Sequence, residues 1–189
     1  DSGVSQVDVK IVGDTIASAA STIERMTIIE LLRTMLDVPV NLVNVKLIAE
    51  QRGIKHQSTI VDEPRKSPRL TLEITSGDTQ RRILGSVFED GLPRVLEVNG
   101  YRMDMVPDAP MIVLQNQDRP GMVGMVGSTL GEAKVNIADM ALSRRDDSAL
   151  MVIKVDSLPD ASLLSTLRSK PGILKATAVD LPPLETQPA

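Results

Sequence analysis

Apolar and polar positions alternate at the start of the chain, where Val7, Val9 and Ile11 are separated by Asp8 and Lys10. That two-residue period predicts a half-exposed strand. The period then lengthens. Ile28, Leu31, Leu32 and Met35 recur at helical spacings behind Ser21-Thr22-Ile23-Glu24, which has the spacing of a capping box. Pro39 is expected to stop this helix, and a second is predicted over residues 46–52, ended by Gly53. Residues 62–69, with Pro64 and Pro68 among charges, read as a loop. Strand-like runs follow at 70–75, 81–88, 92–98 and 101–106, and Asn99-Gly100 is a tight-hairpin signal. Together these elements predict an α+β domain with an antiparallel sheet over residues 1–107.

Pro107-Asp108-Ala109-Pro110 marks the expected boundary. Beyond it the pattern predicts strand 111–117, helix 120–131, strands 136–143 and 149–156, helix 160–168 and strand 173–181. This is a β-α-β-β-α-β, ferredoxin-like unit over residues 108–181, followed by a loose tail at 182–189. Val123, Val126 and Leu130 are expected to share one face of the first helix, and Leu164 and Leu167 one face of the second. Ala149, Met151, Ile153 and Val155 line one side of the middle strand, so two helices on one sheet face would bury them together. Val113, Leu150 and Val152 predict that the other face is covered too, and a sheet of this size gains by pairing with a copy of itself.

Composition narrows the chemistry. With a formal charge of −4 and Phe88 and Tyr101 as its only aromatics, the chain has no general attraction to nucleic acid and no platform for stacking bases. The absence of cysteine removes disulfides and thiolate metal sites. A single histidine, His56, leaves no histidine-based metal cluster or His-centred triad within one chain. No acid stands at a fixed spacing from it, so it reads as a surface or loop residue. Neither G-x-G-x-x-G behind a strand nor G-x-x-x-x-G-K-[ST] occurs, so no nucleotide site is signalled. Apolar runs are short and broken by charge, and residues 1–20 lack a basic start and an apolar core. The expectation is no membrane span, no export signal and a cytoplasmic setting.

One segment carries chemistry: Asn116-Gln117-Asp118-Arg119-Pro120-Gly121-Met122-Val123-Gly124, followed by Asn136. A Pro-Gly turn that opens a helix offers the unpaired amides of the first helical turn, around Gly121 to Val123, to a carboxylate. Asp118 suits an ammonium group, and Asn116 and Asn136 can donate or accept at a small polar side chain. The glycines at 121, 124 and 127 let the helix approach a ligand or the sheet closely. The same residues also fit plain structural roles, with Asp118 capping the helix and Asn136 satisfying a strand start.

Five further pieces bear on identity: Pro39-Val40-Asn41-Leu42-Val43-Asn44, Ala49-Glu50-Gln51-Arg52-Gly53-Ile54, Val98-Asn99-Gly100, Leu130-Gly131 and Val135-Asn136-Ile137. In this order, with Asp118-Arg119-Pro120-Gly121, the chain resembles the C-terminal regulatory region of the D-3-phosphoglycerate dehydrogenase family, an intervening domain followed by an ACT domain. The resemblance implies L-serine as effector at an interface between subunits of a homo-oligomer. Asp118 would take the amino group, Pro120 and Gly121 the carboxylate, and Asn136 of a second copy both backbone groups, with Arg119, Met122, Val123 and Ile137 around them. Asn116 stands where relatives use histidine or tyrosine. A second anion site would use Arg94 and Arg102, with Val106 where a relative has arginine. NAD belongs to the whole enzyme, and no cofactor or catalytic residue is expected in this region. A plastid stroma is an alternative compartment. Asp1 is no natural initiator, and residues 1–6 read as a linker into a C-terminal piece. Two alternatives stay open: an assembly module without ligand response, and the regulatory part of a serine dehydratase, whose iron–sulfur centre needs cysteines this chain lacks.

Overall fold

Alternation at Val7, Val9 and Ile11 yields strand β1 (Val4–Val12), with all three side chains buried. The protein is described from a computed structural model that covers residues 3–13, 16–36, 38–61, 63, 67–181 and 184. Half of the expected loop at 62–69, most of the tail at 182–189, and the first two residues of the expected linker lie outside the described residues. The chain divides into two units, Asp1–Asn99 and Gly100–Ala189. The expected boundary at Pro107 lies within the second.

In the first unit, α1 (Ala20–Arg33) and α2 (Val45–Gln51) connect β1 to β2 (Lys55–Val61). β3 (Arg69–Ser76), β4 (Thr79–Val87) and β5 (Pro93–Val98) follow, giving the sheet order β2-β1-β3-β4-β5. Neighbours are antiparallel except β2, which runs parallel to β1 with Gln6 opposite Lys55 and Val12 opposite Val61. β2 has no counterpart in the apolar pattern, because Lys55-His56-Gln57-Ser58-Thr59 contains no apolar residue. It forms by pairing with β1 at the sheet's edge. Ile28 and Leu32 of α1 and Val45 and Ala49 of α2 bury against Val7.

The entry to α1 differs from the expected capping box. A short 3₁₀ turn (Ala17–Ala19) leads into the helix, its N-cap is Ala19, and Ser21 lies inside the first turn. Glu24, freed from capping, is 6% exposed and faces β2, with its Oε1 2.5 Å from Nδ1 of His56. His56 is therefore neither a loop nor a free surface residue. A buried carboxylate needs a partner, and the imidazole supplies it across 32 positions of sequence. The helix stops at Arg33, ahead of Pro39, where the Thr34 hydroxyl donates to the Leu31 carbonyl at 2.7 Å.

α2 has only seven residues and is secured at both ends. Asn41 Oδ1 accepts from the amides of Val43 and Asn44, and Asn44 Oδ1 accepts from the Asn41 amide. At the other end Gly53 has φ +68, the Ile54 amide donates to Ala49 and the Gly53 amide to Glu50, closing a Schellman motif. The "VNLVN…AEQRG" run is thus the caps of a short helix.

The second unit begins at Gly100, which like Asn99 before it has a positive φ, as a two-residue hairpin turn requires. Its elements are β6 (Tyr101–Met105), β7 (Pro110–Gln117), α3 (Met122–Glu132), β8 (Ile137–Arg145), β9 (Ser148–Val155), α4 (Ala161–Ser169) and β10 (Ile173–Asp180). The antiparallel order β10-β7-β9-β8 places β7 and β9 centrally. α3 and α4 bury Val126, Leu130, Leu163 and Leu167 against Leu114, Met151 and Ile153. Met122 joins this face in place of Val123, which is 43% exposed. On the opposite face Leu150 and Val152 are buried, and the Tyr101 hydroxyl lies 2.6 Å from Ser148 Oγ and accepts from Gln115. The chain therefore folds as two small α+β domains.

Replacing Glu24 with alanine strips the partly buried His56 imidazole of its partner, and is expected to cost about 1–3 kcal/mol. Ser21→Ala, which would cost about 1 kcal/mol were Ser21 a cap, is expected to leave stability unchanged. Urea midpoints of the two variants check both statements.

Candidate functional site

At the end of β7 the backbone is fixed from two sides. The Gln117 amide donates to the Gly172 carbonyl at 2.8 Å, and the Asp118 amide to the Asp147 carbonyl at 2.9 Å. The chain then reverses through Arg119-Pro120-Gly121-Met122. Gly121 has φ 88 and ψ −11, the third-residue conformation of a type II turn, with proline before it as that turn favours. α3 starts at Met122. Its first internal bond runs from the Met125 amide to the Gly121 carbonyl, so the amides of Met122, Val123 and Gly124 have no acceptor within the helix.

These amides border a cavity of about 210 Å³. Asn116, Asp118, Arg119, Pro120, Gly121, Met122 and Val123 line it, so the sequence-predicted residues of this segment come together. Gly124, Leu142, Ala149 and Met151 complete the wall. These last three come from β8 and β9 and carried no polar signal in the sequence.

Asn116 is 1% exposed. Its Nδ2 donates to the Gln117 carbonyl at 2.6 Å, while Oδ1 is buried with no partner. One of the two Nδ2 hydrogens is thereby used, and the buried atom left without a partner is an acceptor. Buried acceptors are nearly always satisfied, so this one calls for a donor.

Asp118 does not stand open. Arg144 Nε lies 2.9 and 2.7 Å from its two carboxylate oxygens, and Nη2 lies 2.7 Å from Oδ2. This bond pushes the Arg144 guanidinium pKa above its ordinary value. Arg144 was missed because it lies 26 positions away, yet strand register places it. It is opposite Ala149 on β9, and Ala149 is opposite Asn116 on β7.

Arg119 works structurally. Its Nη2 donates to the Pro171 carbonyl at 2.6 Å, and its Nε contacts Met122 Sδ at 3.4 Å. Gly172, at φ +88, makes room for it: a Cβ there would meet the guanidinium at 2.6 Å.

Asn136 and Ile137 lie elsewhere. Ile137 is opposite Val155, whereas Gln117 is opposite Ser148. That separation along β9, seven residues, is roughly 23 Å at about 3.3 Å per residue. Asn136 Nδ2 donates to Asp156 at 3.1 Å. One chain does not bring these residues to the cavity. Arg94 and Arg102 fall in different units. Arg94 pairs with Asp90 at 2.6 Å and lies over the Phe88 ring, and Arg102 is exposed on β6. The Leu92 amide and then Arg94 hold the Asp90 carboxyl below its usual pKa. Among the described residues no group of three or more His, Cys, Asp or Glu could hold a metal, and no helix is long and apolar enough to cross a membrane.

A family model described as the D-3-phosphoglycerate dehydrogenase intervening domain matches residues 1–99, and one for the ACT domain matches residues 111–174. D-3-phosphoglycerate dehydrogenase of Methanocaldococcus jannaschii is 26% identical over 183 residues, which cover 96% of this chain and 35% of the relative. That of Synechocystis is 33% identical over 146 residues, covering 75% of this chain and 26% of the relative. A probable L-serine dehydratase beta chain of Bacillus subtilis is 28% identical over 136 residues, covering 70% of this chain and 61% of the relative. The chain spans about a third of the length of the first of these dehydrogenases and about a quarter of the second.

Gly121→Ala forces a side chain into the left-handed region although nothing lies within 4 Å of the new Cβ. The expected loss is about 1–2 kcal/mol from backbone strain alone. Calorimetric melting of the variant measures it.

Proposed function

The chain belongs to the D-3-phosphoglycerate dehydrogenase family as its intervening and ACT domains, and from that premise we propose that it is an L-serine sensor that also joins copies of the chain. ACT domains in this family have a regulatory role; the effector and the mode of assembly are our reading. The observation that carries it is Asn116 Oδ1, a buried acceptor without a partner in a cavity bordered by free helix amides. A ligand hydroxyl satisfies that acceptor. Its carboxylate meets the amides of Met122 to Gly124 and the positive helix end, and its ammonium meets Asp118. A 210 Å³ space suits a ligand the size of serine.

Asn136 and Ile137 enter this scheme from a second copy. β8, the exposed edge that carries Ile137, offers unpaired backbone for such a pairing. We assign the parent reaction, NAD-dependent oxidation of 3-phospho-D-glycerate to 3-phosphohydroxypyruvate, to the part of these relatives that this chain does not match. Serine would then restrain the first step of its own synthesis. Such control requires serine to bind two states of the enzyme with different affinity.

The engagement of Asp118 by Arg144 favours a second reading, an ACT assembly module without ligand response. The match to a serine dehydratase chain leaves a third, in which the same pair of domains regulates that enzyme.

Titration calorimetry separates the sensor from the silent assembly module. L-Serine is expected to bind, Asp118→Ala to abolish the heat, and L-alanine, which lacks the hydroxyl, to bind about tenfold or more weakly. Asn116→Ala is expected to erase most of the serine preference. Stable dimers in sedimentation that show no heat with serine would establish the assembly reading instead.

A further inference from the structure

Asp118 is the one acid among the residues lining the cavity, and both of its oxygens already face a cation. The pairing is bidentate, the geometry in which a guanidinium fork matches a carboxylate best. The two partners differ in their surroundings. The Asp118 side chain is 19% exposed and that of Arg144 is 72% exposed, at the solvent end of edge strand β8. Arg144 is not part of the cavity wall.

We propose that Arg144 is an internal competitor for the ligand's ammonium group at Asp118, so that effector binding exchanges one cation for another. This rests on the reading of the cavity as an amino-acid site. An ammonium brought to Asp118 would lie within a few ångströms of the guanidinium, and like charges at that distance repel. The guanidinium is the partner that leaves. It has open solvent to move into, whereas a ligand held by its carboxylate and hydroxyl has none. Detaching an exposed arginine costs little, because such pairs are weak and screened by salt. The free chain thus holds a fraction of its sites closed to amines, and the apparent affinity falls by that fraction.

Three consequences separate this role from a structural one. Removing the guanidinium tightens binding of an amino acid. It does not tighten the binding of the same molecule without its amino group, 3-hydroxypropionate, which the bared Asp118 carboxylate repels. The advantage also shrinks with salt: the variant's bare carboxylate attracts the ammonium electrostatically, whereas in the native chain one ion pair replaces another.

The experiment titrates L-serine and 3-hydroxypropionate into the full chain, its Arg144→Ala and Arg144→Lys variants and Asn116→Ala, at low and moderate salt. Melting curves verify that each variant is folded. For Arg144→Ala the dissociation constant for L-serine is expected to drop about two- to fivefold at low salt, the range set by an exposed ion pair. Arg144→Lys, which keeps the charge and loses the fork, is expected to lie between. The gap should narrow at moderate salt, and 3-hydroxypropionate should bind the variant no more tightly than the native chain. Equal or weaker serine binding by Arg144→Ala overturns the competition, and a serine preference that still depends on Asn116 would show the site itself to be intact. If neither the native chain nor Arg144→Ala binds serine, the amino-acid site is wrong and the competition falls with it.

Discussion

The left-handed backbone of Gly121 is the constraint on which the cavity depends. It reverses the chain from β7 into α3 within four residues, aiming the free amides of Met122 to Gly124 back over the end of the sheet. A side chain at that φ would strain the turn, and a wider turn would carry the amides away from Asn116 and Asp118. The positions around it are held in series. The amides of Gln117 and Asp118 are bonded to neighbouring loops, and Arg119 secures the Pro171–Gly172 bend that one of those bonds uses. The site is therefore rigid where it is backbone and adjustable only where it is side chain.

Those side chains show what the fold tolerates in order to keep the cavity. An unmet buried acceptor such as Asn116 Oδ1 costs about 1–3 kcal/mol. That is a sizeable share of the net stability of a small domain. A hydrophobic side chain at this position would continue the apolar row of Ile112 and Leu114 on the same face of β7. The polar residue sits instead at the end of that row, where the core gives way to the turn.

How much of this could be read from the chain follows from the range of each interaction. The ACT elements were legible nearly to their ends, because Leu114, Val126, Leu130, Met151, Ile153 and Leu167 repeat at local periods that one buried face imposes. Asn116, Asp118 and the Pro-Gly turn were legible for the same reason, being consecutive. What failed was non-local. Strand β2 exists because β1 offers it a pairing edge, and its own residues carry no alternation. Glu24 looked like a cap by spacing, and the helix began a residue before Ser21 so that Glu24 could reach His56. Arg144 was invisible because its partnership with Asp118 is set by the register of two strand pairs, as is the remoteness of Asn136 from the cavity in one chain.

α3 has one more property that follows from its composition. Gly124, Gly127 and Gly131 fall opposite the buried face, and a methyl group at any of them would meet nothing within 4 Å. No close contact among the described residues requires them, although each lowers helix propensity by about 1 kcal/mol relative to alanine. The outer surface of α3 is consequently a strip of backbone interrupted by the small Ser128. Helix axes ordinarily stop 8–10 Å apart because side chains intervene. Along this strip only the small Ser128 side chain intervenes, so whatever lies against it is discriminated by shape and closeness of approach more than by side-chain identity.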